Sequence, residues 1–534
     1  MRSGDSIQIQ VPSKLFLWLL WLMVGIGASW IVPSSLGSLQ FQGDNTHSES
    51  TVVVTGLWAA KTGHLYPAIH QPPFTPAPYG PLLYMGLAAI AKVGASSFEQ
   101  LLVAGRFAVF TCYLALIGLV FLWARRVGFS YPLAVLCAGF VLLIRDFTWW
   151  NASVRPDVPA LLLSFLGFSL ASRRESPTQR DLLLSGSLMG IALLIKQSSI
   201  TAPLAALLWL ASRRLYRGVG TLIAGVILPI LLVCVFLWVR KEPYLEHMTV
   251  MCSAFLDPFG AVKLLLIDLL ERPFHLMLLT LALSGGLIAF LSDGARAQLL
   301  ALYFLLAWVT AFLTLFQSGG SNNYLLEPWL VSALLTPFAV QNIQSKWKSS
   351  SDALRLAFIL FLGFQLLHGL RAWRWSWAKP ISETHKELAR MLEGQRLLSD
   401  IPYVAVHGRN PELLDGYLMH ILELRGRWSP APILRNLRNK VYDAVVVSFV
   451  EDHLANYRGY TFYSHSILGE IVRNYSASWT CQGGVVFLPK GKNSSLQNET
   501  TRTFAGTTCK SADPAAVVQL LAGSGVNISQ QMHD

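Results

Sequence analysis

Residues 41–84 hold the side chains best suited to chemistry: the acids Asp44 and Glu49, the histidines His47, His64 and His70, a run of prolines, and a Tyr79-Gly80-Pro81 turn. A carboxylate there can take a proton from an acceptor hydroxyl or amine that lies within hydrogen-bond reach. Further along come Arg106, the pair Arg155-x-Asp157, Lys196, and the group Asn322, Asn323, Tyr324 and Glu327. Arginine and lysine can hold a phosphate and compensate the negative charge that develops on it. Plainer roles are open to the same residues. Asp44 and Glu49 could be solvated loop acids, Arg155 and Asp157 an ion pair capping a helix start, and Lys196 a snorkelling helix end. The three histidines lack metal-ligand spacing, so no metal site is assigned, and a divalent ion finds no support in the pattern.

These residues need elements to carry them, and composition says which. The chain has 534 residues, 53% hydrophobic and 13% charged, against roughly 25% charged in an ordinary soluble domain. It reads as an integral, polytopic α-helical membrane protein. A net charge of +12 does not indicate nucleic acid, because the Lys and Arg residues cluster between apolar runs as topology signals. Eleven spans are expected, at 15–33, 101–124, 130–146, 157–172, 182–197, 199–212, 218–239, 273–292, 297–316, 325–341 and 353–370. About 20 apolar residues cross the hydrocarbon, fewer when tilted. Leu15 to Val32 has no cleavage site after it and reads as a retained first span.

Basic residues test this layout. Arg125/Arg126, Arg173/Arg174, Arg213/Arg214/Arg217, Arg296 and Lys346/Lys348 flank alternate spans on one side together with the N-terminus, as cytoplasmic loops should. Arg240/Lys241 and Arg371/Arg374 fall on the other side as exceptions. The first outer loop then covers 34–100, with Pro81 to Val93 as an interfacial helix, too short to span. Spans five and six, divided at Lys196 to Ser199, read as a tight hairpin at the outer face. Acids in the first outer loop thereby face cations on neighbouring loops, an arrangement suited to transfer from an anionic phosphate donor. With no soluble nucleotide site evident, and no P-loop or GxGxxG in the C-terminal part, a lipid-carried phosphate is the natural donor.

Residues 1–377 form the membrane module and 378–534 a small outer-side α/β domain. Tyr403 to His407 and Tyr442 to Val450 read as strands, Pro411 to Leu424 as a helix, and the segment after Pro489 as fraying. Cys112, Cys137, Cys234 and Cys252 read as packing cysteines, whereas Cys481 and Cys509 could pair in an oxidising compartment. Five Asn-x-Ser/Thr sites, at Asn151, Asn474, Asn493, Asn498 and Asn527, do not separate a bacterial envelope from a eukaryotic lumen. The simple tail favours a bacterial inner membrane.

Taken together, the acid-bearing loop, Gly63-x-x-Tyr66, Tyr79-Gly-Pro-Leu-Leu-Tyr84, Arg155-x-Asp157 and Leu193-Leu-x-Lys196 resemble the GT-C glycosyltransferases. Within them they look like the dolichyl-phosphate-mannose protein mannosyltransferase and aminoarabinose transferase branch, over roughly residues 15–340. The resemblance implies an inverting membrane enzyme that moves a sugar from a polyprenyl-phosphate donor to a glycan, lipid or protein acceptor on the periplasmic or lumenal face. The family's catalytic Asp-Glu pair falls on Ser48 and Glu49, so the Asp is missing. Glu49 becomes the favoured base and Asp44 its rival, with Asp157 as a second acid. Lys196, Arg155 and Arg106, and more loosely Asn323 and Tyr324, match positions for the donor phosphate. Pro76 to Pro81, with Tyr66, Tyr79 and Tyr84, would shape the acceptor entrance. A multi-span transporter or lipid-sugar flippase is the alternative, though charges sit at span ends and no internal repeat is apparent. An assembly scaffold is a third reading, its activity in the C-terminal domain with His407, Asp415, His420 and Asp443.

Overall fold

The computed structural model describes residues 13–40, 44–46, 49–174, 176–251, 256–292, 294–317, 320–346, 382–409, 411–413, 415–448, 450–452, 457–459, 463–481, 484–491 and 510–512. It opens with α1 (Ser13–Gln40), α2 (Glu49–Thr62), α3 (Pro81–Val93), α4 (Phe98–Val127) and α5 (Tyr131–Leu143). Then come α6 (Arg145–Trp150), α7 (Asp157–Ala171), α8 (Gln179–Ile195), α9 (Thr201–Ser212) and α10 (Tyr216–Val239). The series continues with α11 (Tyr244–Met251), α12 (Pro258–Leu270), α13 (Pro273–Leu291), α14 (Ala295–Leu315), a 3-10 turn at Asn322–Leu325, and α15 (Leu326–Lys346).

The first ten expected spans each fall on a helix, and the eleventh, 353–370, lies outside the described residues. Among the described residues, four helices are long and apolar enough to cross a membrane: Phe98–Val127, Tyr216–Val239, Phe274–Leu291 and Ala295–Leu315. The expected span 130–146 is broken, because Ile144 adopts extended dihedrals between α5 and α6. Lys196 is likewise extended, at φ −140° and ψ 114°, and separates α8 from α9. The structure thus places two breaks in helical backbone beside charged residues.

Close packing without a hydrophobic driving force between helices relies on small residues. A Cβ on Gly186 would lie 2.3 Å from Leu222 O, and one on Gly225 2.5 Å from Leu183 O, so α8 and α10 touch backbone to backbone. At the opposite end from Asp157, Arg296 donates to Arg126 O (3.0 Å) and Arg173 O (2.9 Å), gathering three of the basic clusters at one end of the bundle.

The C-terminal part carries a five-stranded sheet. Its strands are β1 (Leu397–Ser399), β2 (Ala444–Ser448), β3 (Val450–Asp452), β4 (Tyr457–Gly459), β5 (Tyr475–Cys481), β6 (Gly484–Pro489) and β7 (Lys510–Ser511), and the sheet runs β1-β2-β6-β5-β7 while β3 and β4 pair separately. β1 lies parallel to β2, and the remaining neighbours in the sheet are antiparallel. The strand expected at Tyr403 to His407 is instead a helix, Pro402–His407. A run this short carries no decisive period, and Pro402 at the first helical position presets the helical φ. Leu397–Ser399 takes the place beside β2. The expected helix 411–424 begins only at Gly416, where Asp415 accepts from Leu418 N as its N-cap. Cys481 is disulfide-bonded, and Cys509 lies outside the described residues. Asn151 is buried and donates to Ser35 Oγ (2.9 Å), which removes it as a modification site.

This part is docked on the first outer loop. Phe74 N donates to Glu412 O (2.8 Å), Phe74 packs edge-on against Trp428, and His407 meets Glu99 at 3.0 Å. The loop in turn grips the membrane helices at Gly80, whose N–H donates to Ile195 O (3.2 Å) at the end of α8. A Cβ there would stand 2.0 Å from Leu194 O. Gly80→Ala should therefore cost about 1–3 kcal/mol, the usual penalty of overpacking, seen as a lowered thermal midpoint in detergent. Gly86→Ala, where a Cβ meets nothing within 4 Å, serves as the control and should leave the midpoint unchanged or raised.

Candidate active site

Two acidic centres are joined by the segment 151–157. In the first, Glu49 opens α2 and is fully buried beside Arg106, which lies a little over two turns into α4. Arg106 Nη2 donates to Glu49 Oε2 (2.6 Å) and Arg106 Nε to Oε1 (2.9 Å). Val154 N also donates to Oε1 (2.7 Å) and Asn45 N to Oε2 (2.7 Å). Both carboxylate oxygens are therefore doubly occupied, and the carboxylate behaves as a structural anion. Arg106 belongs to this pair, with Nη1 also donating to Ser38 O (3.3 Å), rather than to the phosphate-facing set expected from the sequence.

Asp44 differs. Its Oδ1 accepts from Ser50 N (2.8 Å) and Ser50 Oγ (2.6 Å). Burial first, and the neighbouring Glu49 second, push its carboxyl up to about 7 against these bonds and Arg106. Its neighbour Asn45 donates to Ala152 O (2.7 Å), which ties the acid to the 151–157 segment.

The second centre surrounds Asp157, in the first turn of α7. Its Oδ1 accepts from Lys196 Nζ (2.6 Å) and Asn323 Nδ2 (2.7 Å), and its Oδ2 lies 3.8 Å from Arg155 Nε. Lys196 sits over the Tyr324 ring at 4.7 Å. Arg155 stands against Tyr79 at 5.0 Å and Trp150 at 5.3 Å, two cation–π contacts that fix its direction. The helix ends suit these charges, an acid at the start of α7 and a cation at the end of α8. Asp157, Lys196, Asn323, Tyr324, Glu327 and Thr310 are among the residues lining a cavity of about 470 Å³, counted with its open mouth. Glu327 Oε1 accepts from Tyr303 OH (2.6 Å).

Of the three tyrosines expected at an acceptor entrance, Tyr79 is the one whose ring packs on Arg155. Tyr66 and Tyr84 are buried against each other, rings 5.7 Å apart, and belong to the loop's core. Their apolar rings are worth more packed than exposed. Tyr66 OH nevertheless donates to Tyr79 O (3.0 Å) and so holds the turn. His64 meets Glu242 and His70 meets Glu246, so these two histidines go to different acids, while His47 lies outside the described residues.

Sequence reasoning gave no role to two residues that hold the loop. Glu242 Oε2 accepts from Leu65 N (3.0 Å) and Tyr66 N (3.3 Å). Buried His247 accepts from Ala77 N at Nδ1 (2.9 Å) and faces Pro67 O at Nε2 (2.8 Å), which fixes a neutral tautomer with the proton on Nε2. Burial pulls its pKa down to about 4. The only signal for either lay in the polar content of the 240–247 loop. A third group, Asp146, Asp268 and His275, places ligand-type atoms within 4.8 Å of one another, with Arg272 between the two acids.

Residues 81–239 match the family model described as dolichyl-phosphate-mannose-protein mannosyltransferase. The matched stretch contains Arg106, Arg155, Asp157 and Lys196 and leaves Asp44 and Glu49 outside. No curated protein matches the chain in sequence. Among solved structures, ArnT from Cupriavidus metallidurans in the apo state is similar with a TM-score of 0.55 and 13% identity, covering 87% of this chain and 97% of that one. The same protein bound to undecaprenyl phosphate gives 0.52 and 14% over the same shares. The Archaeoglobus fulgidus oligosaccharyltransferase in its apo form gives 0.49 and 12%, covering 89% and 74%.

The buried pair sets a stability test. Glu49→Ala leaves the Arg106 guanidinium without its carboxylate, a change that costs about 3–5 kcal/mol. Thermal unfolding in detergent should show a large drop for Glu49→Ala and a much smaller one for Lys196→Met at the cavity wall.

Proposed function

We propose that this membrane glycosyltransferase, whose family match and fold resemble the GT-C enzymes of the protein mannosyltransferase and ArnT branch, moves a sugar from a polyprenyl-phosphate donor to an acceptor, with inversion. The observation that carries the reading is Lys196, held 2.6 Å from buried Asp157 on the wall of a cavity that begins where α8 breaks. A lysine so placed is pinned and still faces open space. The donor phosphate docks on Lys196 and Arg155, with Asn323 and Tyr324 beside it. ArnT, which shares the fold, has been solved with undecaprenyl phosphate bound, and this supports a carrier lipid of that class here.

Asp44 is the general base in this scheme, in preference to Glu49. Glu49 has no oxygen free of strong donors, and protonating it would leave Arg106 buried without a counter-ion. A base whose pKa lies near the working pH is the efficient one, and Asp44 is poised there. The acceptor hydroxyl or amine attacks the anomeric carbon, its proton passes to the Asp44 carboxylate, and the bond from that carbon to the phosphate oxygen breaks. The carrier leaves as polyprenyl phosphate, with Lys196 and Arg155 stabilising the charge it gains. Asp157 keeps Lys196 aimed.

The acidic loop and the cavity lie on the periplasmic or lumenal side, opposite the basic clusters gathered by Arg296, and the C-terminal sheet lies on the same outer side. A bacterial inner membrane is the favoured setting. The contacts of Glu412 and Trp428 with Phe74, and of His407 with Glu99, make 378–534 a lid-side domain that fixes the first loop and the acceptor approach.

Purified protein with a radiolabelled polyprenyl-phosphate sugar tests this. Lys196→Met and Asp157→Asn should each lower transfer and donor hydrolysis by roughly 100-fold, the scale of losing one charge-stabilising donor. Unchanged turnover in both, with folding intact, would sink the donor-site assignment. Activity should rise as pH climbs through about 7, and Asp44→Asn should remove that limb along with most activity. The sign for stability is opposite. Folded Asp44 keeps its proton from its ordinary 3.8 up to about 7, so its contribution weakens as pH rises through that window.

A further inference from the structure

We infer that Arg272 and Asn322 are positioning residues for the donor site, forming with Asp146 and Asp268 a charged brace that sets where Asn323 and Tyr324 stand. The inference rests on the donor-site reading above. Arg272 lies between α12 and α13, largely buried, and its Nη1 donates to Asp146 Oδ1 (2.5 Å) and to Asp268 Oδ1. Asp268 Oδ2 meets His275 Nδ1 at 2.9 Å, and the His275 ring lies tilted against Trp329 of α15, centroids 4.5 Å apart. The Asp146 oxygen that takes Arg272 also accepts from Asn322 Nδ2 (2.6 Å). Asn322 Oδ1 in turn accepts from Trp150 Nε1 (3.2 Å) and Ser321 Oγ (3.1 Å).

Asn322 begins a 3-10 turn of only four residues. The next residue, Asn323, donates to Asp157, and the one after, Tyr324, carries Lys196 over its ring. A turn this short has little internal hydrogen bonding to resist displacement. Its place is therefore set by the side chain at its start, and that side chain is bound to a carboxylate held by Arg272. The cation position between Asp146 and Asp268 is taken by the guanidinium, so the group serves as a brace rather than a metal centre.

The test uses the full-length protein in detergent with undecaprenyl phosphate as probe. Asn322→Ala and Arg272→Gln should each weaken its binding about tenfold, the size of one charge-assisted hydrogen bond, and Arg272→Lys should restore most of it. In turnover the donor KM should rise while the acceptor KM stays unchanged. A merely damaged fold would lower the active fraction and leave both KM values alone, and that result would overturn the brace. Wild-type binding in Asn322→Ala and Arg272→Gln, with Lys196→Met defective, would overturn the brace and keep the donor site. Wild-type binding in Lys196→Met would remove the donor site and the brace with it. A stoichiometric divalent cation in the wild-type protein, lost in Asp268→Asn, would replace the brace by a metal site.

Discussion

A charge taken out of water must bring its partner with it, and that requirement organises this protein. Glu49 and Arg106 are both fully buried, and the desolvation of each is tolerable only because the other is there. Their bonds join the start of α2, the body of α4, the end of α1 at Ser38, and Val154 in the segment leading to α7. The loop between α1 and α4 therefore has a fixed root. Asp44, Asn45 and the 151–157 segment take their places from it.

The same requirement recurs at the second acid with a different result. Asp157 also holds a cation, but Lys196 stands on a cavity wall and remains accessible from the open side. One pair is closed and structural, and the other is open and available to an incoming anion. The contrast between Glu49 and Asp44 follows the same division, since four donors saturate the first while the second keeps a proton to near neutrality. Chemistry is assigned to the members of each set that are not fully satisfied.

Much of this could be read from the residues. Apolar runs located the helices α1, α4, α5, α7 to α10 and α13 to α15, and the thirteen-residue α3 fell where a run too short to span was read as lying outside the bundle. Arg155-x-Asp157 and Lys196 drew attention because ionisable groups at span ends are costly without a purpose. Other features were beyond sequence reasoning. Asp44 and Glu49 differ in how many donors surround them, and donors such as Val154 N come from a distant segment that leaves no trace in the local pattern. The resemblance alone put Tyr66 and Tyr84 at an entrance, and no local pattern showed that both would be buried. Asp268, Arg272 and His275 follow helical spacing in an unremarkable stretch, and only the fold brings Asp146 and Asn322 to them. Tyr403 to His407 forms a helix where a strand is expected, because an apolar run this short has no period to read.

Arg296 gives the bundle an asymmetry between its two ends. Its guanidinium donates to carbonyls at the ends of two helices, at Arg126 and Arg173, so α4, α7 and α14 are bound together there. At the far end of α7 and α14 lie Asp157 and Thr310, on the wall of the cavity. The places of Asp157 and Thr310 in the cavity lining thus depend on bonds made fourteen residues from Thr310 along α14, at a residue that is not itself part of the lining.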